Sequence, residues 1–120
     1  MYDVRGLKED YAVKNLDECL LLDFYGNLLT DKMRDATDLY LNDDLTFAEI
    51  ADTIGISRQG VHDTVKRAVK QLHEYEDKLG LVERFTSQSA IIDEAIGLID
   101  SNDAEGAKAL LTALKTEIEE

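Results

Sequence analysis

Apolar residues recur along this chain at intervals of three and four, and no stretch sustains an interval of two. That pattern predicts helices and no sheet. The first helix is marked by Leu20, Leu21, Phe24, Tyr25 and Leu28, behind a capping box formed by Asn15 and Glu18. Thr30 caps a second helix from about Asp31, with Met33, Ala36, Thr37, Leu39 and Tyr40 on its inner side. Asn42-Asp43-Asp44 ends it. Thr46 and Glu49 form a second capping box at the head of a short helix carrying Phe47, Ile50 and Ala51. Gly55 stops that helix as a glycine with positive φ would.

Ser57 caps the next helix, whose seam of Val61, Val65, Ala68, Leu72, Tyr75 and Leu79 is spaced 4, 3, 4, 3, 4 until Gly80. Some 23 residues at 1.5 Å each make it about 35 Å long. A three-helix head covers only its first half. Val69, Leu72, Tyr75 and Leu79 are therefore expected to take partners from a C-terminal helical hairpin, a second copy, or both. Phe85, Ile92, Ala95, Ile96 and Ile99 mark a further helix. After Ser101-Asn102-Asp103, a third capping box is expected at Asn102 and Glu105, and Ala104, Ala107, Leu111, Leu114 and Ile118 mark the last helix. The expected organisation is all-α: a helix-turn-helix domain over residues 1–80 and a C-terminal helical hairpin over 81–120, serving dimerisation or partner docking.

Composition sharpens this picture. The chain has 120 residues, no proline, no tryptophan and 44% hydrophobic residues, which suits helices joined by short turns around a core. One cysteine, Cys19, and two histidines, His62 and His73, leave no disulfide and no four-ligand zinc site. The polar opening residues and the four-residue apolar run from Cys19 to Leu22 predict neither a secretory leader nor membrane insertion, and hence a cytoplasmic protein. No metal or cofactor is expected. Asp43-Asp44 and Asp100 with Asp103 sit at helix boundaries, where carboxylates serve the helix ends. With no phosphate-binding glycine loop and no triad, no enzyme is expected.

The net charge of -13 argues at first against a polyanionic partner. Its distribution reverses that reading. Residues 1–45 carry a net -6 and residues 74–120 a net -8, whereas residues 46–73 carry +1. Arg58, Lys66, Arg67 and Lys70 all fall within thirteen residues.

Those cations lie in a segment built like a helix-turn-helix. Ala51 suits the helix crossing, Gly55 the turn, and Ile50, Ile54, Ile56 and Val61 the shared core. Thr64 stands where such motifs often place an aliphatic side chain, with Val65 beside it to supply the packing. On the second helix Arg58 and Gln59 occupy the first turn, where Arg can grip guanine and Gln adenine by paired hydrogen bonds. Lys66, Arg67 and Lys70 suit phosphates, His62 faces the groove, and Ser57 offers a hydroxyl and a helix-terminal amide. Four phosphate contacts imply a salt slope of about -3 to -4.

The run from Leu45 to Ala51, then Gly55 to Val61 and Lys66-Arg67-Ala68, resembles the promoter-reading helix-turn-helix of sigma-factor region four, and the head is winged-helix-like. With Asp23-Phe24-Tyr25-Gly26, Leu28 to Lys32, Leu39-Tyr40, Asp43-Asp44 and Tyr75-Glu76-x-Lys78-Leu79, residues 16–80 are similar to the YlxM family of bacterial helix-turn-helix proteins. Gly60 and His62 replace the Ala and Tyr common in relatives, and the hairpin reads as longer. The resemblance implies a non-enzymatic, regulatory part in the signal recognition particle pathway. DNA and RNA both remain open as partners. So do a protein-interaction module docking a basic partner on its acidic faces and a sigma-like regulator, and a homodimer is expected.

Overall fold

The structure, a computed structural model, describes residues 18–120. The Asn15 cap lies outside the described residues. Among those described, five α-helices follow the segment 18–25, here α1: α2 (Asp31–Leu41), α3 (Phe47–Ile54), α4 (Arg58–Leu79), α5 (Leu81–Asp100) and α6 (Ala104–Glu119). No strand occurs among the described residues, so the likeness to winged helices extends to the helices and not to a wing. The chain divides at Gly80 into two compact units.

In the first unit local chemistry sets each helix boundary. The Thr30 hydroxyl accepts from the Met33 amide at 3.2 Å and starts α2. Thr46 accepts from the Glu49 amide at 3.1 Å while Glu49 accepts from the Thr46 amide at 2.8 Å, so the expected capping box is complete. Gly55 closes α3 at φ 79, a conformation that costs an L side chain about 1–2 kcal/mol and glycine nothing. Ser57 caps α4 through the Gly60 amide at 2.9 Å, and Gly80 ends it at φ 63.

Around these boundaries Ala36, Ile50, Ala51, Val61 and Val65 are buried together, bringing α2, α3 and α4 into one three-helix core. Ala51, 6% exposed, sits where α3 meets α4, as its size requires. Thr64 is itself buried, at 8% exposure, so it joins the packing beside Val65 rather than leaving the work to it.

The distal half of α4 is covered differently from the expectation. Ala68 and Leu72 are fully buried, Leu21, Leu22 and Tyr25 of α1 are also buried, and α1 meets this half of α4 through Tyr25. The Tyr25 and Tyr75 rings meet with centroids 5.9 Å apart. The Tyr25 hydroxyl donates to Glu76 Oε1 at 2.6 Å, and the Tyr75 hydroxyl donates to the Leu28 carbonyl at 3.3 Å. His73 Nε2 lies 3.5 Å from Glu18 at the start of the described α1. Heptad spacing shows which face of α4 must be buried and not which element buries it. The apolar repeat also overran α1: the chain tightens into a 3-10 turn at Gly26–Leu28, leaving Leu28 56% exposed.

The second unit is a hairpin of α5 and α6. Asn102 adopts φ 64 in the turn, and Asp103, not Asn102, caps α6 by accepting from the Gly106 amide at 2.9 Å. All three residues of Ser101-Asn102-Asp103 can cap, and Asn tolerates the left-handed conformation the turn needs. Within this unit only Ala95, Ala107 and Leu114 are buried.

Candidate nucleic-acid interface

The candidate surface is the exposed face of α4, and its residues are distributed by the 100° step of the helix. Val61, Thr64, Val65, Ala68 and Leu72 define the buried side. Gln59, Asp63, Lys66 and Lys70, spaced 4, 3, 4, run along the side opposite the core, and all are exposed. His62 lies on one flank of that row and Arg67 on the other, both exposed. Arg58 and Gln59 share the first turn but diverge by 100°, and Arg58 lies half a turn around the helix from Arg67. The seven expected residues are therefore all solvent-facing, with Gln59, Lys66 and Lys70 forming the central stripe.

The polar contacts at this surface are few and specific. Gln59 Nε2 donates to Asp63 Oδ1 at 3.0 Å, fixing the amide that would meet a base edge. His62 Nδ1 approaches the same oxygen at 3.4 Å. The His62 ring stands edge-on to Phe47 with centroids 5.5 Å apart, and Phe47 in turn stacks on Tyr40 at 5.1 Å. Thus α2 and α3 buttress one side of α4 through three rings. The Ser57 hydroxyl oxygen is occupied as the α4 cap, which leaves its proton available to an acceptor.

Among the described residues, Arg58, Lys66, Arg67 and Lys70 make no ion pair and no side-chain hydrogen bond. Among the other described cations, Arg34 contacts Asp31 at 3.2 Å and Asp35 at 3.9 Å and Lys115 contacts Glu119 at 3.8 Å, whereas Lys32, Lys78, Arg84 and Lys108 make no such pair. What sets α4 apart is therefore the clustering of four unpaired cations within thirteen residues of a chain of net charge -13.

Asp63 is the functional candidate that sequence reasoning passed over. It is not among the residues the sequence singles out, yet it is the residue that contacts both Gln59 and His62. The Gln-to-Asp spacing of four on one helix was the available signal. Away from this surface, no group of His, Cys, Asp and Glu among the described residues is arranged to hold a metal ion. No described helix is long and apolar enough to cross a membrane. The Cys19 thiol is half-buried and directed at the Leu41 carbonyl, 3.7 Å away, as a structural thiol would be.

A short helix ended by a left-handed glycine, a capped second helix bearing the exposed cations, and a third helix packed across both define a helix-turn-helix protein. The family model described as "Putative helix-turn-helix protein, YlxM / p13 like" matches residues 12–110. The chain belongs to that family. It is 45% identical to a UPF0122 protein of Desulforamulus reducens over 85 residues, covering 71% of this chain and 73% of the relative. A UPF0122 protein of Acetivibrio thermocellus is 44% identical over 112 residues, 89% of this chain and 95% of that one. The match runs well past residue 80, so α5 and the first turns of α6 belong to the family's own length rather than being an addition to it.

Proposed function

We propose that this chain is a nucleic-acid-binding regulatory protein that reads DNA or RNA with α4. The observation that carries the reading is the set of four uncommitted cations on the exposed side of the second helix of a helix-turn-helix. In it, Arg58 and Gln59 address base edges from the first turn, while Lys66, Arg67 and Lys70 neutralise phosphates. Ser57 donates to a phosphate oxygen at the helix start, and His62, braced by Phe47, borders the groove. On this reading, the resemblance to YlxM proteins supports a cytoplasmic role in the signal recognition particle pathway, whose own RNA is then the first target to test.

The test is a fluorescence-anisotropy titration against a mixed-sequence DNA duplex and the particle's RNA over a range of KCl concentrations. Four cations give a salt slope of about -3.6, moved toward about -3 by Asp63 in their midst. Arg58→Ala with Lys66→Ala is expected to lower affinity at least tenfold and to flatten the slope by about 2. Unchanged binding by that double variant would remove α4 as the reader. The acidic majority of the chain favours a second reading, in which its acidic faces dock a basic protein and the helix-turn-helix is scaffold. Capture of a basic partner that survives both nuclease and the double substitution would establish that reading instead.

A further inference from the structure

The second unit displays more apolar surface than its own core can account for. Only Ala95, Ala107 and Leu114 are buried in a forty-residue hairpin, and two of those are alanines. A chain segment of this size with so small a core ordinarily needs a metal, a disulfide or a partner. It has no cysteine. Meanwhile Ile92, Ile96, Ile99, Leu111 and Ile118 are between 42% and 60% exposed. Ile99 and Leu111 line a groove of ≈ 380 Å³ between the two helices, with Lys108 and Lys115 along its α6 side. Ile96 lies one turn from Ile99 on the same face of α5.

Charge on the two helices is arranged with matching spacing and opposite sign. On α5, Asp93, Ile96 and Asp100 stand at i, i+3 and i+7. On α6, Lys108, Leu111 and Lys115 stand at i, i+3 and i+7. All six are exposed, and none of the four charges pairs across the hairpin among the described residues. The face thus has an apolar centre, an acidic edge on α5 and a basic edge on α6. Such a face is complementary to itself when a two-fold axis runs parallel to the helices. That operation lays α5 of one copy antiparallel over α6 of the other, acid over lysine, and closes a four-helix bundle. Two helices side by side, about 24 Å long and about 20 Å wide, present a footprint of about 480 Å², which side-chain relief brings toward the roughly 800 Å² per partner of a standard interface.

We infer that α5 and α6 form an antiparallel four-helix bundle with a second copy of this chain, with Asp93 and Asp100 facing the other copy's Lys115 and Lys108. The bundle is independent of whatever α4 reads. Pairing α5 on α5 would oppose acid to acid, and a basic foreign partner would meet the lysine edge unfavourably.

Sedimentation of the full chain between 1 and 100 µM tests it. A dimer is expected, and Ile96→Glu with Leu111→Glu is expected to weaken it at least 100-fold while the helical circular dichroism is retained. Lys108→Glu with Lys115→Glu, and separately Asp93→Lys with Asp100→Lys, alter only exposed positions and are each expected to give monomers. Mixed in equal amounts, those two charge variants are expected to form a one-to-one heterodimer, because the mixture restores opposite signs at both edges. A wild-type monomer at 100 µM, a dimer indifferent to these substitutions, or a mixture that stays monomeric would overturn the inference.

Discussion

Asp63→Asn separates the charge of the reading face from its geometry. The side chain accepts from Gln59 at 3.0 Å, and an asparagine oxygen can accept the same bond, so Gln59 stays where it is. What changes is one negative charge on the row that also bears Lys66 and Lys70. At about 7 Å in water a carboxylate and a phosphate repel by about 0.6 kcal/mol, so two nearby phosphates together cost about 1 kcal/mol. At that distance a screening length of roughly 8 Å at physiological salt leaves about 40% of the term, or about 0.5 kcal/mol. The substitution should therefore tighten binding about twofold to any sequence and steepen the salt slope by about 0.9. Fold stability should move by no more than about 0.5 kcal/mol at this exposed position. Anisotropy titrations of a mixed-sequence duplex and of a structured RNA from 0.05 to 0.3 M KCl (roughly the useful range of the counterion relation) measure both quantities. Asp63→Ala, which also releases the Gln59 amide, should gain the same affinity and lose discrimination between bases. If Asp63→Asn left affinity and slope untouched, the carboxylate would not face a nucleic-acid backbone and the assignment of α4 as reader would fail.

Two further predictions concern the scaffold. Thr37 is fully buried in α2 and its hydroxyl has no hydrogen-bond partner, so Thr37→Val should stabilise the fold by about 1 kcal/mol, while Thr37→Ser should destabilise it by about as much. Urea denaturation reads both, and a destabilising valine would mean that the hydroxyl is bonded in solution. No atom lies within 4 Å of a Cβ placed on Gly55, so Gly55→Ala should cost only the positive φ, about 1 kcal/mol, without loss of helix content. A loss well above 2 kcal/mol by thermal melting would show that the turn itself had rearranged.

Helix boundaries were the most legible part of this sequence because they depend on residues within a turn of one another. Thr46 with Glu49, Ser57, Gly55 and Gly80 all act where their types and spacing place them. The turn at 101–103 misled because three successive residues could each cap, and only backbone conformation decides among them. The cover on the distal half of α4 was not legible at all. Periodicity identifies Leu72 as buried, but Tyr25 meets Tyr75 and Glu76 from some fifty positions away, and no local rule encodes that meeting. At the candidate surface the cations were visible as a cluster. Asp63 was not, since its importance lies in which neighbours it orients.

The charge distribution constrains how such a reader can work. On its approach, out to about the screening length of roughly 8 Å, a nucleic acid feels the net charge of -13 and is repelled. Only at contact do Arg58, Lys66, Arg67 and Lys70 outweigh their surroundings, and only where their fixed spacing along α4 matches the phosphates. Long-range steering therefore cannot speed the encounter as it does for basic proteins. Affinity has to come from slow dissociation at a fitting site, and non-specific binding is suppressed at the same time.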